Sequence, residues 1–267
     1  MNKKHIVLFD MDGTLTEPRD KFDNKLLDPL RELSKYSEIG VLTGSDIDYV
    51  EQQLKPLLRF SEIRYKLHLL PCNGTKHYIP PTFARDEYQL VHEMNMKKHL
   101  GDICFRQLMM ILSSAQESMC YTKIPLTGHF ISYRGSMVNW CPIGRNANSQ
   151  DRQEFMKIDK SVFPSLRKRE MDKIKYKINL RCRNKITVKL GGETSFDIYP
   201  DGWNKTYALK HFKDYTCWFV GDKCGDGGND KEIYDLLMMN RRAFSTSDPS
   251  KTALIINRIT ETIKNDR

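Results

Sequence analysis

An apolar run near the start of the chain, Ile6–Phe9, ends directly in the acidic loop Asp10–Thr16. A short apolar run bounded by a turn is typical of a buried strand. In open α/β sheets, ligands bind beyond the carboxyl ends of the strands, so Asp10 and Asp12 are expected to project into a binding crevice. This feature predicts a βα unit with a functional site at the edge where the first strand ends.

The first third of the chain alternates between strand and helix patterns. A leucine-rich helical pattern at residues 26–33 is followed by an apolar strand pattern at Ile39–Leu42. Ser45, with Asp48 three residues later, matches a capping box and predicts that a second helix opens there. Leu67–Leu70 is predicted as a third strand, and the repeated order of strand and helix implies a parallel sheet.

The middle of the chain loses this strict alternation. A helical pattern runs from about Asp86 to Ser118, and the alternation at His129–Trp140 predicts a hairpin. Ser149–Val162 is predicted as a helix, and Ile186–Leu190 and Thr194–Tyr199 as strands. Strands and helices that do not alternate one by one favour an inserted α+β domain.

The α/β rhythm returns in the last quarter of the chain. Trp218–Val220 is predicted as a buried strand, Glu232–Met239 as a helix, and a last helix begins after Asp248. The predicted fold class is therefore α/β, a doubly wound parallel-sheet core with an inserted α+β cap domain. The predicted bounds are residues 1–85 and 201–267 for the core and residues 86–200 for the cap domain.

The chain is basic, because 43 Lys and Arg outnumber 34 Asp and Glu. This excess of positive charge favours acidic partners, above all phosphorylated molecules. No apolar run approaches the ~18 residues of a membrane span, and the first apolar run meets Asp10 too early for a secretory signal, so neither is expected. Seven scattered cysteines without a C-x-x-C pair favour a reducing compartment.

A third acid, Asp222, has the same position as the acidic loop, directly after the predicted strand Trp218–Val220. Clustered carboxylates repel one another unless a hard cation joins them, which makes Mg²⁺ the expected shared ligand. One acid of the pair Asp10 and Asp12 can then act as a nucleophile toward a phosphoryl group while its neighbour handles the proton. The three acids predict metal-assisted phosphoryl transfer.

Two further segments suit the same chemistry. Thr43-Gly44-Ser45 follows the second predicted strand and offers a hydroxyl and backbone amides at a helix start, where an anion can bind. Lys205 lies at a predicted helix start after Asp201-Gly202-Trp203 and can neutralise the charge of a phosphoryl group in transfer.

These motifs resemble the haloacid dehalogenase superfamily, which combines D-x-D-G-T, a Ser or Thr after the second strand, a later Lys and a terminal G-D with N-D. Over nearly the whole chain, the sequence is similar to the eukaryotic-type phosphomannomutase family. The motifs in the inserted domain narrow the resemblance to the family, because superfamily members differ most there. The stretches that carry it are Phe9–Thr16, Thr43–Asp46, Tyr133–Arg134, Pro142–Arg145, Ser149–Arg152, Gly191–Gly192, Ser195–Asp197, Asp201–Lys205, Gly221–Lys223 and Gly227–Asp230.

The resemblance implies catalytic and substrate-binding roles for the matched residues. Asp10 would be the phosphoryl-accepting nucleophile and Asp12 the general acid and base, with Ser45 and Lys205 completing the catalytic set. The residues that would bind the hexose and its distal phosphate are Arg19, Arg134, Arg145, Arg152, Ser195 and Asp197.

The resemblance also implies a cofactor, a reaction and an assembly. Mg²⁺ would be held by Asp10, the Asp12 carbonyl and Asp222, with Asp230 behind them. The reaction would interconvert mannose 6-phosphate and mannose 1-phosphate, with glucose phosphates as further substrates, through an aspartyl phosphate primed by a hexose 1,6-bisphosphate activator. A homodimer joined through the cap domains and a role in cytoplasmic GDP-mannose biosynthesis are further expectations.

Two alternative functions remain open from the residues alone. A sugar-phosphate or nucleotide phosphatase would use the same scaffold, because water can hydrolyse the same aspartyl phosphate. A basic binding protein is suggested by Lys157–Lys189, which holds twelve Lys or Arg and three acids. That segment lacks a zinc finger, an RNP-like aromatic motif or a G-x-x-G clamp, so nucleic acid is disfavoured as a partner.

Overall fold

A computed structural model describes residues 4–18, 20–22, 24–182 and 186–266. The described residues form two compact units. The core unit runs up to Glu93 and resumes at Trp203, and the inserted unit is Met94–Gly202. Among the described helices, none is long and apolar enough to cross a membrane.

The elements are numbered in chain order. The strands are β1 (Lys4–Phe9), β2 (Glu38–Leu42), β3 (Leu67–Leu70), β4 (Lys76–Ile79), β5 (Gln89–Glu93), β6 (Ile131–Tyr133), β7 (Val138–Trp140), β8 (Ile186–Gly191), β9 (Ser195–Pro200), β10 (Tyr215–Gly221) and β11 (Ala243–Ser245). The α-helices are α1 (Leu27–Ser34), α2 (Ile47–Phe60), α3 (Met96–Leu100), α4 (Asp102–Cys120), α5 (Ser149–Lys160), α6 (Leu166–Arg181), α7 (Lys231–Met238) and α8 (Pro249–Asn265). Short 3-10 helices lie at Asn24–Leu26, Glu62–Lys66, Cys72–Gly74 and Lys205–His211.

The core unit is built on a seven-stranded sheet in the order β11-β10-β1-β2-β3-β4-β5. The strands from β11 to β3 are parallel, and β4 and β5 add an antiparallel edge. Alternate residues of β1 enter different apolar clusters, Val7 and Phe9 on one face and Ile6 and Leu8 on the other. Because both faces are covered, the strand reads as a continuous apolar run. The predicted doubly wound α/β fold is confirmed.

Helices cover both faces of this sheet. The apolar cluster around Phe9 includes buried residues of α1, α2 and α8, whereas the cluster around Leu8 includes residues of α7 and the 3-10 helix Lys205–His211. The predicted last helix is confirmed as α8, whose N-cap Asp248 accepts a hydrogen bond from the Lys251 amide at 2.9 Å. A cap of this kind satisfies a backbone donor that the helix itself leaves unpaired.

The helical pattern predicted from about Asp86 to Ser118 is wrong at its start, because Gln89–Glu93 is a strand, and is confirmed from Met96 onward by α3 and α4. The strand pairs antiparallel with β4 and extends the core sheet. The chain accordingly divides after Glu93 and Gly202, where the sequence predicted divisions after residues 85 and 200. Gln89–Glu93 is short and of mixed polarity, so it is recognised as a strand only from its pairing with β4. The local sequence pattern does not reveal that pairing.

The inserted unit contains an antiparallel sheet in the order β6-β7-β9-β8, together with α3 to α6. The predicted hairpin is confirmed by the pairing of β6 with β7, and the predicted helix at Ser149 is confirmed as α5. Trp140 and Phe196 stack at 4.7 Å between ring centroids, on neighbouring strands. The α+β character predicted for this part of the chain is confirmed.

The basic segment, Lys157–Lys189, contributes mainly to α6, a helix that was not predicted from the sequence. Its buried side chains include Met171, Ile174 and Ile178, spaced as one face of a helix. Lysines and arginines dominate the rest of its sequence, and Arg167 at its start pairs with Asp159 at 2.9 Å. The helix therefore packs by one narrow apolar stripe and presents a charged face to solvent.

Candidate active site

Asp10 and Asp222 lie at the same edge of the core sheet because they follow neighbouring parallel strands. In the register of β1 and β10, Phe9 is opposite Val220, so both strands end at the same level. The Asp10 amide donates to the Val220 carbonyl at 2.9 Å, which continues the ladder by one residue. The carboxyl ends of these strands form the edge where α/β proteins bind ligands.

Three carboxylates converge at this edge. Oxygens of Asp10, Asp222 and Asp230 lie within 4.8 Å of one another, and Asp10 and Asp230 are 5% and 0% exposed. Gly13 has a positive φ of +83°, and a Cβ there would lie 2.6 Å from Oδ2 of Asp222. The loop after β1 therefore requires glycine at this position to pass so close to the carboxylate. We call Asp10, Asp222 and Asp230 the acidic cluster.

Lys205 bridges two members of the acidic cluster. Its ammonium donates to Oδ1 of Asp10 and to Oδ1 of Asp230, both at 2.5 Å, and the side chain is 1% exposed. The residue begins the 3-10 helix Lys205–His211, whose N-cap Asn204 accepts from the Thr206 amide at 3.0 Å. Burial lowers the pKa of Lys205, but attraction to Asp10 and Asp230 outweighs burial and raises it, so the lysine stays charged.

The acidic cluster carries more negative charge than Lys205 neutralises. Burial raises the pKa of Asp10, with repulsion from Asp222 adding to the effect and attraction to Lys205 opposing it. Burial likewise raises the pKa of Asp222 and of Asp230. Groups with perturbed pKa values that gather at a sheet edge are typical of functional sites.

The residues around the acidic cluster fit a hard divalent cation. Oδ1 of Asp222 and Oδ1 of Asn229 are buried and have no hydrogen-bond partner within the described part of the chain. Buried oxygens without partners are costly unless another group satisfies them. Carboxylate and amide oxygens are ligands that Mg²⁺ accepts. Asn229 belongs to the sequence stretch Gly227–Asp230, within which no role was predicted for it.

The Asp12 side chain forms a hydrogen bond with a residue outside the acidic cluster. Its Oδ1 accepts a hydrogen bond from the Tyr49 hydroxyl at 3.0 Å, and its side chain is half-buried. Tyr49 lies in the first turn of α2 and was not identified from the sequence. The signal was absent because this contact joins residues that are 37 positions apart and depends on how α2 packs on the sheet.

Ser45 follows β2, which neighbours β1, so it lies at the same edge as Asp10. The prediction that Ser45 caps the next helix is wrong, because Asp46 is the N-cap of α2 and accepts from the Ile47 amide at 2.8 Å. The Ser45 amide instead donates to Oγ1 of Thr43 at 3.1 Å, so the chain makes one more turn before the helix begins. Ser45 is thus part of the loop between β2 and α2.

The inserted unit gathers most of the remaining predicted residues on its sheet and loops. Arg145 donates through Nη1 to Oδ1 of Asn139 at 3.1 Å, and Nδ2 of Asn139 donates to Oδ1 of Asp197 at 2.8 Å and Oγ of Ser195 at 3.1 Å. Asn139, which the sequence analysis missed, thereby joins Arg145, Ser195 and Asp197 in one network.

Two further arginines of the inserted unit, and one of the core sequence, complete the predicted set. Arg152 donates to Oγ1 of Thr194 at 3.0 Å, at the turn between β8 and β9. Arg134 is buried at the end of β6, and its amide donates to the Met137 carbonyl at 2.8 Å in the hairpin. Arg19 lies outside the described residues.

Comparison with known proteins identifies the family. The family model for eukaryotic phosphomannomutase matches residues 26–262. The chain is 34% identical over 232 residues to a phosphomannomutase of Arabidopsis thaliana, covering 86% of this chain and 87% of the relative. A phosphomannomutase of Galdieria sulphuraria is 35% identical over 231 residues, covering 86% of this chain and 84% of the relative. The chain belongs to the eukaryotic phosphomannomutase family.

Solved structures support the fold of this family member. The Plasmodium falciparum IMP-nucleotidase, N-terminally truncated, aligns with a TM-score of 0.64 at 16% identity, over 96% of this chain and 70% of that chain. The Aspergillus fumigatus trehalose-6-phosphate phosphatase aligns with a TM-score of 0.51 at 14% identity, over 98% of this chain and 93% of that chain. At these identities the likeness concerns the fold alone. The predicted family is confirmed by the sequence relatives.

Proposed function

We propose that this chain is a phosphomannomutase that interconverts mannose 6-phosphate and mannose 1-phosphate, with glucose phosphates as further substrates. The observation that carries the proposal is the buried contact of Lys205 with Asp10 beside Asp222, at the sheet edge of a phosphomannomutase family member. A carboxylate flanked by a fixed cation suits nucleophilic attack on a phosphoryl group.

Asp10 is the proposed nucleophile. An oxygen of its carboxylate forms a bond to the phosphorus of the hexose bisphosphate, and the bond from phosphorus to the sugar oxygen breaks. Asp12 gives a proton to the departing sugar oxygen and takes one back from the attacking hydroxyl when the phosphoryl group returns to the other position. The ammonium of Lys205, already 2.5 Å from Asp10, offsets the negative charge that gathers around the phosphoryl group. Ser45, at the same edge, contributes a hydroxyl donor to the phosphoryl oxygens.

Mg²⁺ is the proposed cofactor, held by Asp10, the Asp12 carbonyl and Asp222, with Asp230 supporting them through Lys205. When bound, the ion supplies Lewis-acid stabilisation of phosphoryl oxygens and neutralises clustered carboxylates. The buried Oδ1 of Asp222 has no hydrogen-bond partner among the described residues, and burial raises the pKa of Asp10 and of Asp222; both observations support a cation there. Asn229, whose buried Oδ1 likewise has no partner in the described part of the chain, is a further candidate for contact with the ion or with its bound water.

The hexose and its distal phosphate are the proposed ligands of a set of charged and polar residues. Guanidinium groups bind phosphate in a fixed, bidentate geometry that lysine cannot reproduce. Arg145 and Arg152 support this role, because hydrogen bonds to Asn139 and Thr194 already restrain their half-buried side chains, and Arg134 is buried. The proposed set is Arg19, Arg134, Arg145, Arg152, Ser195 and Asp197.

Three further properties follow from family membership as proposals. A hexose 1,6-bisphosphate activates the enzyme by phosphorylating Asp10. The chain forms a homodimer through the inserted unit, which carries exposed apolar side chains such as Ile103, Met110 and Leu180. It works in the cytoplasm, in the synthesis of GDP-mannose. Light scattering coupled to size exclusion tests the dimer, and fluorescence microscopy of a tagged chain tests the compartment.

Phosphorus NMR tests the proposed reaction and its main alternative together. The protein is incubated with Mg²⁺ and mannose 1-phosphate, with and without glucose 1,6-bisphosphate. We expect a mannose 6-phosphate signal that grows only with the bisphosphate and is absent for Asp10→Asn. Release of inorganic phosphate in place of mannose 6-phosphate would make the chain a sugar-phosphate phosphatase, and an unchanged spectrum would contradict both functions.

A further inference from the structure

Asn139 is the central residue of a polar network on one face of the inserted sheet. It lies in the middle of β7, opposite Asp197 of β9 in the strand register. The next residue, Trp140, is opposite Phe196 and stacks on it. Because side chains alternate between the two faces of a sheet, Asn139 and Asp197 share one face while the aromatic pair occupies the other.

The carboxamide of Asn139 joins two groups of opposite charge. Its Oδ1 accepts from Nη1 of Arg145 at 3.1 Å, and its Nδ2 donates to Oδ1 of Asp197 at 2.8 Å. Nδ2 also lies 3.1 Å from Oγ of Ser195. The side chain is 2% exposed, so water has little access to these bonds. A carboxamide carries an acceptor oxygen and a donor nitrogen on one rigid group, so it can accept from a cation and donate to an anion at the same time.

A second constraint acts on Asp197 from the neighbouring strand. A Cβ at Gly191 would lie 2.7 Å from Oδ2 of Asp197, so the carboxylate packs directly against the glycine backbone. Ser195 in turn donates to the Gly191 carbonyl at 2.6 Å. Asp197 is therefore held between Gly191 and Asn139, and its orientation is set before any ligand arrives.

We propose that Asn139 is a positioning residue for substrate binding, and this inference rests on the proposed function. Its neutral amide is interposed between Arg145 and Asp197, which keeps these opposite charges from closing into a direct ion pair. Each charged group then remains oriented for the sugar phosphate, the guanidinium for the phosphate and the carboxylate for the sugar hydroxyls. Groups that are oriented in advance lose less entropy when the ligand binds.

The test compares variants of the intact chain by steady-state kinetics and calorimetry. In Asn139→Ala, we expect KM for mannose 1-phosphate and its calorimetric Kd to rise about tenfold, since a charge-assisted contact loses its support. We expect kcat to change by less than about twofold, because binding of the distal phosphate is equal in ground and transition states. Asn139→Asp preserves the shape but replaces the donor by an oxygen, and should raise KM similarly.

Gln116→Ala is the matched control. Gln116 also uses its amide to join two groups, accepting from Nε1 of Trp140 at 2.8 Å and donating to the Pro142 carbonyl at 3.0 Å. Because Trp140 belongs to the aromatic face, this variant should lose stability without raising KM. In an Arg145→Ala background, Asn139→Ala should raise KM by less than about twofold, because the group that it positions has already been removed.

Each outcome decides the inference. An unchanged KM in both Asn139 variants would overturn it, as would an equal rise in Gln116→Ala or an undiminished effect in the Arg145→Ala background. The calorimetric Kd separates this inference from the proposed function. If the wild-type chain shows no mutase turnover but Asn139→Ala still weakens mannose 1-phosphate binding, the proposed function fails and the positioning role stands.

Discussion

The hydroxyl of Tyr49 donates a hydrogen bond of 3.0 Å to Oδ1 of Asp12. One oxygen of the proposed general acid and base is thereby engaged by the first turn of α2, and the carboxylate is held in one orientation. Proton transfer requires a group placed within hydrogen-bond reach of the reacting oxygen. The contact thus connects the packing of a helix to the proton-transfer step.

Tyr49→Phe should slow turnover with little effect on folding. Removal of the hydroxyl frees the Asp12 carboxylate to rotate, and we expect kcat to fall by roughly tenfold, the rate equivalent of one net hydrogen bond. The free energy of unfolding should change by less than about 1.5 kcal/mol, because the ring remains. Steady-state kinetics and urea unfolding measure both. A kcat equal to that of the wild-type chain would show that Tyr49 does not orient Asp12.

Lys205→Ala should strongly destabilise the core unit as well as abolish turnover. The substitution leaves Asp10 and Asp230 buried without the ammonium that bonds to both. Breaking a buried ion pair by removing one partner costs about 3–5 kcal/mol. Lys213→Ala, an exposed lysine of the same unit, should change stability by less than about 0.5 kcal/mol. Equal unfolding midpoints for the two variants would contradict the buried arrangement.

Asp222→Asn should remove the response of thermal stability to Mg²⁺. A ligand that binds only the folded state raises the unfolding temperature, so excess Mg²⁺ should raise the Tm of the wild-type chain. In a chelator, the variant should unfold at the same or a higher temperature, because one member of a repelling carboxylate cluster is neutral. Differential scanning calorimetry measures both. A full Mg²⁺ response in the variant would place the cation elsewhere.

Acid should destabilise the core unit through the half-buried His68 and the buried His77. Burial, with repulsion from His211 adding to it, lowers the pKa of His68 to about 4 and of His77 to about 3. Each histidine is neutral when folded and takes up a proton when unfolded, so its stabilising contribution is complete above the unfolded pKa of about 6.5. That contribution is lost as the pH falls from there toward 4 and 3.

The pH effect can be isolated with one variant. His77 packs against Phe212 with ring centroids 5.4 Å apart, so His77→Phe keeps an aromatic ring in place and removes the titrating group. Between pH 6 and pH 4, the free energy of unfolding of the wild-type chain should fall as the pH is lowered. In His77→Phe this fall should be smaller by up to about 1.4 kcal/mol per pH unit. Identical slopes in wild type and His77→Phe would contradict the burial argument.

The parts of the fold that were predictable have a local signal. The run Ile6–Phe9 is uniformly apolar because β1 is covered on both faces, and the acids follow where the strand ends. By contrast, β11 is three residues long and is defined by its pairing with β10. The N-cap at Asp46 was missed because Thr43 and Ser45 form an extra turn, and a capping pattern alone does not reveal that turn.

In the candidate site too, the residues with a local sequence signal were predicted, and those that depend on contacts between distant elements were missed. Asp10 and Asp222 were predicted to lie at one edge because each directly follows a strand of the predicted parallel sheet, and the carboxyl ends of such strands share an edge. Tyr49 and Asn139 escaped prediction because their partners come from other elements and depend on register and packing. A tyrosine in a helix and an asparagine in a strand carry no sign of these contacts in their immediate sequence.

Trapping the phosphorylated enzyme tests the central claim most directly. The wild-type chain and Asp10→Asn are mixed with glucose 1,6-bisphosphate and Mg²⁺, quenched, reduced with borohydride to convert an aspartyl phosphate into homoserine, and analysed by peptide mass spectrometry. The account predicts homoserine at position 10 of the wild-type chain, dependent on the bisphosphate, and none in the variant. Modification of another aspartate, or mutase turnover in Asp10→Asn, would contradict it.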